Sequence, residues 1–181
     1  VAFGNLNEMR AAVGDETAGI LVEPVQGESG IRPASGEYLK GLREICDDFG
    51  LLLFFDEVQT GAGRSGRLFA HQWSDITPDL MAVAKGIGGG FPVGALAGSD
   101  EVMSVFTPGG KGPRLPYSGT FSANPITMTA GRVAMELYDA DAVERLNRLG
   151  DLARERITEA IAIARAPMSV TGSGSLFRIH I

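Results

Sequence analysis

Apolar residues in the first part of the chain form continuous runs separated by one segment of helical spacing. Residues 18–23 are an apolar run closed by Pro24, which predicts a buried strand followed by a loop. From Ser35, a favourable helix N-cap, apolar side chains recur every three or four residues until Gly50, which predicts an amphipathic helix. A second unbroken apolar run begins at Leu51. Strand, helix and strand in this order predict a parallel sheet covered on both faces.

Two further strands and two helices follow. A third apolar strand covers residues 79–85, and a shorter one covers residues 94–98. Pro125 suits a first helical turn and starts a helix that runs to about Tyr138. A second helix is predicted over residues 141–165, with a gap in its apolar stripe at Gly150. The stripe consists of Val143, Leu146, Leu149, Ile157 and Ile161.

The end of the chain returns to a strand-like pattern in the segments MSVTG and LFRIHI. We therefore expect an α/β fold in which residues 1–140 are a large domain, mainly a parallel sheet with flanking helices. Residues 141–181 would begin a small α+β domain. The N-terminus lacks a signal-peptide pattern and an initiator Met, and LFRIHI should continue into a turn and a partner strand. These features predict a fragment.

Composition narrows the class of protein. Of 181 residues, 44% are hydrophobic and 21% are charged, which indicates a globular domain. The net charge of −6 and the absence of a dense Lys/Arg run make nucleic acid an unsuitable partner. The apolar runs are far shorter than the roughly 18 residues of a membrane span. One cysteine and two distant histidines form neither a disulfide framework nor a metal cluster, which favours the reducing cytoplasm.

Polar residues follow three of the predicted strands. Glu23 ends the first, Asp56 and Glu57 end the second, and Lys85 ends the third, followed by a glycine-rich segment that would let backbone approach a ligand. Ligands of open parallel sheets bind beyond the carboxyl ends of the strands. A lysine desolvated at an apolar site becomes a nucleophile that can form a Schiff base. An aspartate aimed at a pyridine nitrogen stabilises the protonated ring. The structural alternative is an Asp–Lys ion pair or a helix N-cap.

Three motifs occur in order: FDEVQTGAGRSG, AVAKGIGGGFPVGALAG and SGTFSANP. Together they resemble the class III branch of the fold type I pyridoxal-phosphate enzymes, and the resemblance extends over nearly the whole chain. EPVQGE and DEVQTGAGRSG look like ornithine and acetylornithine aminotransferases. YSGTFSANPITMTAG looks more like glutamate-1-semialdehyde 2,1-aminomutase.

The resemblance implies a role for each matching residue. Lys85 would hold pyridoxal 5'-phosphate as a Schiff base and move the substrate proton, and Asp56 would pair with the pyridinium nitrogen. Val58 would lie against one face of the ring, and Gln59 would reach its phenolic oxygen. Thr120 would bind the cofactor phosphate of the neighbouring subunit, which implies a homodimer with shared sites.

Glu28 matches a glutamate that helps to manage recognition of the substrate carboxylate. The expected reaction moves an amino group between an amino acid or amine and a keto acid or aldehyde. Two parts of the site, a ring-stacking and phosphate-holding segment and an arginine for the substrate carboxylate, are absent from the chain. The chain alone is therefore not expected to be an independent catalyst. Intramolecular amino transfer, as in the aminomutase, and a non-catalytic scaffold of the same fold remain as alternatives.

A dinucleotide-binding loop is the competing interpretation of GAGRSG. The segment fits the spacing G-x-G-x-x-G, but DEVQT separates it from the preceding strand and no well-patterned helix follows. Arg64 within this loop has no expected catalytic role, and His71 and His180 are expected to be surface or packing residues.

Overall fold

A computed structural model describes residues 1–109, 112 and 114–181. The helices in these residues are α1 (Leu6–Ala12), α2 (Gly36–Phe49), α3 (Asp100–Met103), α4 (Pro125–Leu137) and α5 (Ala140–Ala164). The strands are β1 (Gly19–Val22), β2 (Val25–Gln26), β3 (Arg32–Pro33), β4 (Leu52–Asp56), β5 (Leu80–Ala84), β6 (Gly94–Gly98), β7 (Ser169–Ser173) and β8 (Leu176–His180). Short 3-10 turns cover Ala70–Trp73, Lys85–Gly88 and Ser104–Phe106.

The main sheet has the strand order β1-β4-β5-β6. β4 pairs in parallel with both β1 and β5, which confirms the predicted α/β architecture. β6 instead runs antiparallel to β5, with Ala82 opposite Leu96. The connection over residues 85–93 accounts for this direction, because a parallel neighbour needs a crossover of roughly a dozen residues or more.

The helix α2 begins and ends where the sequence predicts. Ser35 Oγ accepts a hydrogen bond from Tyr38 N at 3.1 Å, and Gly50 has the left-handed conformation with φ of 65°. Both features satisfy backbone groups that a helix end leaves without partners. The helix buries its apolar stripe against Leu53 and Phe55, both of which are fully buried, and this contact is the core of the domain.

Only one face of the sheet is packed in this way. Leu21 is 65% exposed and Leu96 is 40% exposed on the face away from α2. The prediction of a sheet covered on both faces is therefore wrong for the part of the chain that the structure describes. Side chains alternate along a strand, so Phe54 and Asp56 belong to this second face.

The later helices and the final hairpin are also confirmed, with one difference. Asn124 caps α4, Pro125 occupies its first turn, and β7 and β8 form an antiparallel hairpin. The predicted apolar stripe of α5 is only partly covered, since Val143, Ile157 and Ile161 are half-buried but Leu149 is 64% exposed. The buried residue of α5 is Gly150, where an added Cβ would lie 2.4 Å from Gly174 O in the hairpin turn. None of the helices in the described residues is long and apolar enough to cross a bilayer.

Candidate functional site

The carboxyl ends of β4 and β5 meet at one edge of the sheet. Asp56, the last residue of β4, lies opposite Ala82, and Lys85 follows β5 three positions further along. The two residues therefore stand on adjacent parallel strands, where ligands bind in open α/β sheets. No ion pair between them occurs among the described residues, so the structural alternative of an Asp–Lys pair is not supported.

Asp56 and Val58 are held together at the start of the site. Asp56 Oδ1 accepts a hydrogen bond from Val58 N at 3.0 Å, and within the described residues Oδ2 has no such partner. Val58 lines a cavity of about 1180 Å³ together with Ala82 and Ala84, which share the Asp56 face of the sheet. The site thus combines a half-buried carboxylate with an apolar wall.

Lys85 has an unusual backbone conformation. Its φ is 56°, in the left-handed region, and it opens the 3-10 turn Lys85–Gly88. A residue with a β-carbon costs roughly 1–2 kcal/mol in that conformation, and such strain concentrates at functional positions. The side chain of Lys85 is exposed, so the expected desolvation of the amine is not found in this chain.

The glycines after Lys85 have a packing role that the sequence did not predict. A Cβ on Gly89 would lie 2.4 Å from Ala130 O, and a Cβ on Gly131 would lie 2.3 Å from Ile87 O. These glycines let α4 approach the turn closely, whereas the sequence suggested a close approach to a ligand. The turn that carries Lys85 is thereby fixed against a helix.

Gln59 and Glu28 are brought together from distant parts of the sequence. Gln59 Nε2 donates to Glu28 Oε1 at 3.0 Å. Gly27 permits this contact, because a Cβ there would lie 2.5 Å from Gln59 Nε2. The loop is held from its other side by Arg178 Nη1, which donates to Glu28 O at 3.0 Å. Glu28 therefore lies beside the chain that leaves β4.

Thr120 lies apart from these residues. It is exposed in the turn before α4 and lines a second cavity of about 910 Å³, shared with Ile87 and Asn124. Among the described residues, Thr120 forms no hydrogen bond with Lys85 or Asp56. The structure of one chain thus joins Asp56 with Val58 and Gln59 with Glu28, and leaves Thr120 separate.

Two further residues support the site, and the sequence predicted no role for either. Glu57 is fully buried, and its carboxylate accepts hydrogen bonds from Thr60 Oγ1, Ala70 N and His71 N and contacts His71 Nδ1 at 3.2 Å. Strand alternation could have indicated that Glu57 points away from Asp56 and into the protein. Arg64 donates from Nη2 to Val58 O at 2.8 Å, and no sequence pattern pointed to this contact.

Comparisons with known proteins agree with this geometry. An omega-transaminase from Sphaerobacter thermophilus superimposes with a TM-score of 0.89 and 43% identity, covering 99% of this chain and 41% of that chain. A transaminase with PLP bound gives a TM-score of 0.91 and 39% identity, covering 99% of this chain and 42% of that one. The fold is that of the fold type I pyridoxal-phosphate-dependent transferases.

The sequence comparisons identify the branch. The sequence model of the family described as aminotransferase class-III matches residues 2–181. The acetylornithine aminotransferase of Brucella melitensis is 50% identical over 141 residues, which are 78% of this chain and 34% of that protein. The chain belongs to the class-III aminotransferase family. It spans about a third of the Brucella protein and about two fifths of the two solved chains.

Proposed function

We propose that this chain forms the cofactor-binding part of a pyridoxal-phosphate-dependent aminotransferase. The observation that carries the proposal is the placement of Asp56 and Lys85 at the carboxyl ends of adjacent parallel strands, in a chain of the class-III family. Ala82 and Ala84 of β5, together with Val58 from the turn after β4, add an apolar wall to the same cavity. A carboxylate, an amine and an apolar wall suit a charged heteroaromatic ring.

Asp56 and Lys85 would have complementary tasks. Pyridoxal phosphate, when bound, supplies an aldehyde that bonds to amines and a ring that accepts electrons from the adjacent carbon. Asp56 Oδ1 is already engaged by Val58 N, which leaves Oδ2 for the protonated ring nitrogen. Lys85 would hold the cofactor through Nζ. Once an amino donor has taken its place, Lys85 Nζ would take up the proton of the substrate α-carbon and deliver it to the adjacent carbon of the cofactor.

The neighbouring residues would orient the ring and the substrate. Val58 would cover one face of the ring, and Gln59 would donate to the phenolic oxygen. Because Gln59 also contacts Glu28, the same amide could link the ring to the residue that we propose for substrate carboxylate recognition. Replacing Glu28 by Gln should change KM for substrates with a second carboxylate more than kcat. Equal KM values for such substrates would contradict this role.

Thr120 supports a proposal about assembly. It is exposed and separate from Lys85 in one chain, as expected if its hydroxyl serves the cofactor phosphate of a second subunit. Lys85→Ala and Thr120→Val protomers can be mixed to test for a homodimer with shared sites. A mixed dimer would keep one intact site and regain activity. If Thr120 served its own subunit, every site would stay defective and no activity would return.

The amino donor and acceptor are a further proposal. The 50% identity to an acetylornithine aminotransferase favours an ornithine-type donor, whereas the solved structure that is 43% identical is an omega-transaminase. Kinetics with both donor types would separate these substrates.

Intramolecular amino transfer is a second candidate, favoured by the segment YSGTFSANP. A transaminase releases a keto acid or aldehyde after one half-reaction, whereas an aminomutase returns a rearranged amine. The single cysteine favours a cytoplasmic location.

Borohydride reduction of the full-length protein loaded with pyridoxal phosphate tests the central proposal. We expect a stable adduct in the peptide that carries Lys85. Lys40→Ala, at an exposed lysine of α2, is the matched control and should keep the adduct, while Lys85→Ala should lose it. A folded protein with excess cofactor and no adduct at Lys85 would reject the proposal in favour of a non-catalytic scaffold.

A further inference from the structure

The backbone of Val58 is fixed from both sides. Its N–H donates to Asp56 Oδ1 at 3.0 Å, and its carbonyl oxygen accepts from Arg64 Nη2 at 2.8 Å. Val58 also lines the large cavity beside Ala82 and Ala84. The position of this residue relative to the Asp56 carboxylate therefore depends directly on the Arg64 guanidinium.

The backbone of Arg64 is bound to a different part of the chain. Arg64 O accepts from Ser175 N at 3.1 Å and from Ser175 Oγ at 3.0 Å, in the turn between β7 and β8. The residues on either side are held in the same way. Ser173 Oγ donates to Ser65 O at 3.2 Å, and Asn147 Nδ2 of α5 donates to Gly63 O at 3.0 Å. Of these residues, Arg64 is the one that also binds the backbone of Val58, so it connects the Val58 segment to the hairpin.

The side chain of Arg64 has an unsatisfied polar atom. Its Nε is buried and has no hydrogen-bond partner among the described residues, and the buried hydroxyl of Tyr138 likewise has none. Burial lowers the pKa of Arg64, and the interaction with Tyr138 opposes that shift. A half-buried guanidinium with a buried, unpaired Nε–H adds little stability to the fold, so the position of Arg64 is better explained by the segment that it holds in place.

We propose that Arg64 is a positioning residue that sets the plane of Val58 against the cofactor ring and ties that plane to the β7–β8 hairpin. The inference rests on the proposed function, in which Val58 contacts the ring. Movement of the hairpin, which belongs to the proposed small domain, would pass through Ser175 and Arg64 to Val58. Arg64 touches neither substrate nor the reacting atoms, so its effect is on orientation.

Variants of the full-length protein test this inference. In Arg64→Met, borohydride should still give the Lys85 adduct, but visible circular dichroism of the bound cofactor should change because the ring is held differently. We expect kcat to fall on the order of 10- to 100-fold, because small misplacements of reacting groups slow a reaction by such factors. KM for the amino donor should change less than about threefold. Arg64→Lys should restore part of kcat, since an ammonium can still donate to Val58 O.

The controls separate positioning from stability. Arg148→Met removes an exposed arginine of α5 that pairs with Glu144, and it should leave the spectrum and kcat unchanged. Ser175→Ala removes one of two donors to Arg64 O and should shift the dichroism in the same direction with a smaller amplitude. If the wild type forms no adduct, the proposed function fails and not this inference alone.

One pattern of results would overturn the role of Arg64. An Arg64→Met protein that is less stable, but has unchanged dichroism and kcat per bound cofactor, would show that Arg64 is only structural. Should Arg64→Met not fold, Arg64→Lys and Ser175→Ala decide the matter. Wild-type dichroism and kcat in both of these variants would equally reject positioning.

Discussion

Replacing Glu57 by glutamine tests how strongly one buried carboxylate holds the segment after β4. Oε2 accepts from Thr60 Oγ1 at 2.7 Å and from Ala70 N at 2.8 Å. Oε1 accepts from His71 N at 2.9 Å and contacts His71 Nδ1 at 3.2 Å. The side chain is fully buried, so water cannot replace a lost partner.

Glutamine keeps the shape but turns one acceptor oxygen into an NH2 donor. The Thr60 hydroxyl and the His71 ring can each reverse their roles, but the backbone N–H groups of Ala70 and His71 cannot. In either orientation of the amide, one backbone N–H faces another donor. A lost hydrogen bond to a charged group costs roughly 1.5–3 kcal/mol, which corresponds to about a 10- to 150-fold rise in local opening.

Hydrogen–deuterium exchange of the peptide covering Ala70 and His71 measures this opening directly. We expect faster exchange there in Glu57→Gln, with little change in α2. Glu44→Gln, at an exposed position of α2, is the matched control. Exchange within about twofold of wild type at both amides would mean that Glu57 does not control opening of this segment, and the reasoning would be refuted.

Three further changes have expected outcomes. Lys85→Gly should abolish the adduct. It should also raise the free energy of unfolding by about 1 kcal/mol, because a φ of 56° suits glycine better than lysine. A lower free energy of unfolding in urea would show that the Lys85 backbone is not strained. Burial raises the pKa of Asp79, but the hydrogen bonds from Arg43 Nη1 and a backbone N–H outweigh it and lower the pKa below 3.8. This stabilisation is present above about pH 4 and is lost as pH falls through the lowered pKa, so Asp79→Asn should be less stable than wild type at neutral pH and converge with it in acid. If the free energies of unfolding of wild type and Asp79→Asn differed by the same amount at every pH, this prediction would be refuted. Gly150→Ala should lower the midpoint of thermal unfolding, because the new Cβ would lie 2.4 Å from Gly174 O. This effect should exceed the roughly 1 kcal/mol by which alanine is favoured over glycine in a helix. A higher midpoint would show that the close contact does not exist.

The elements that could be predicted depend on nearby residues. Ser35 and Gly50 set the ends of α2 through hydrogen bonds and φ values that involve only a few neighbours. The continuous apolar runs predicted β4 and β5. Because the carboxyl ends of parallel strands meet at one edge of a sheet, Asp56 and Lys85 were then expected at the same edge. The roles of these residues stay a proposal until the adduct is sought.

Other features could not be predicted because they depend on distant partners. The stripe of α5 has the right spacing, yet Leu149 is largely exposed, since periodicity shows which face is apolar but not what covers it. The pattern in residues 94–98 predicted a strand without its direction. The exposed amine of Lys85 likewise reflects which parts of the chain surround it, and apolar flanks alone did not determine that.

The sequence by itself determined the α/β class, the positions of the longer helices α2, α4 and α5 and of the main-sheet strands, the family resemblance and the two strand-end residues. These follow from local hydrogen bonding, side-chain periodicity and motifs read in order. Only the tertiary structure decided that Gln59 contacts Glu28, that Glu57 holds His71, and that Arg64 joins Val58 to Ser175. Such contacts join residues up to 111 positions apart, and their geometry depends on packing of the whole chain, which local preferences do not specify.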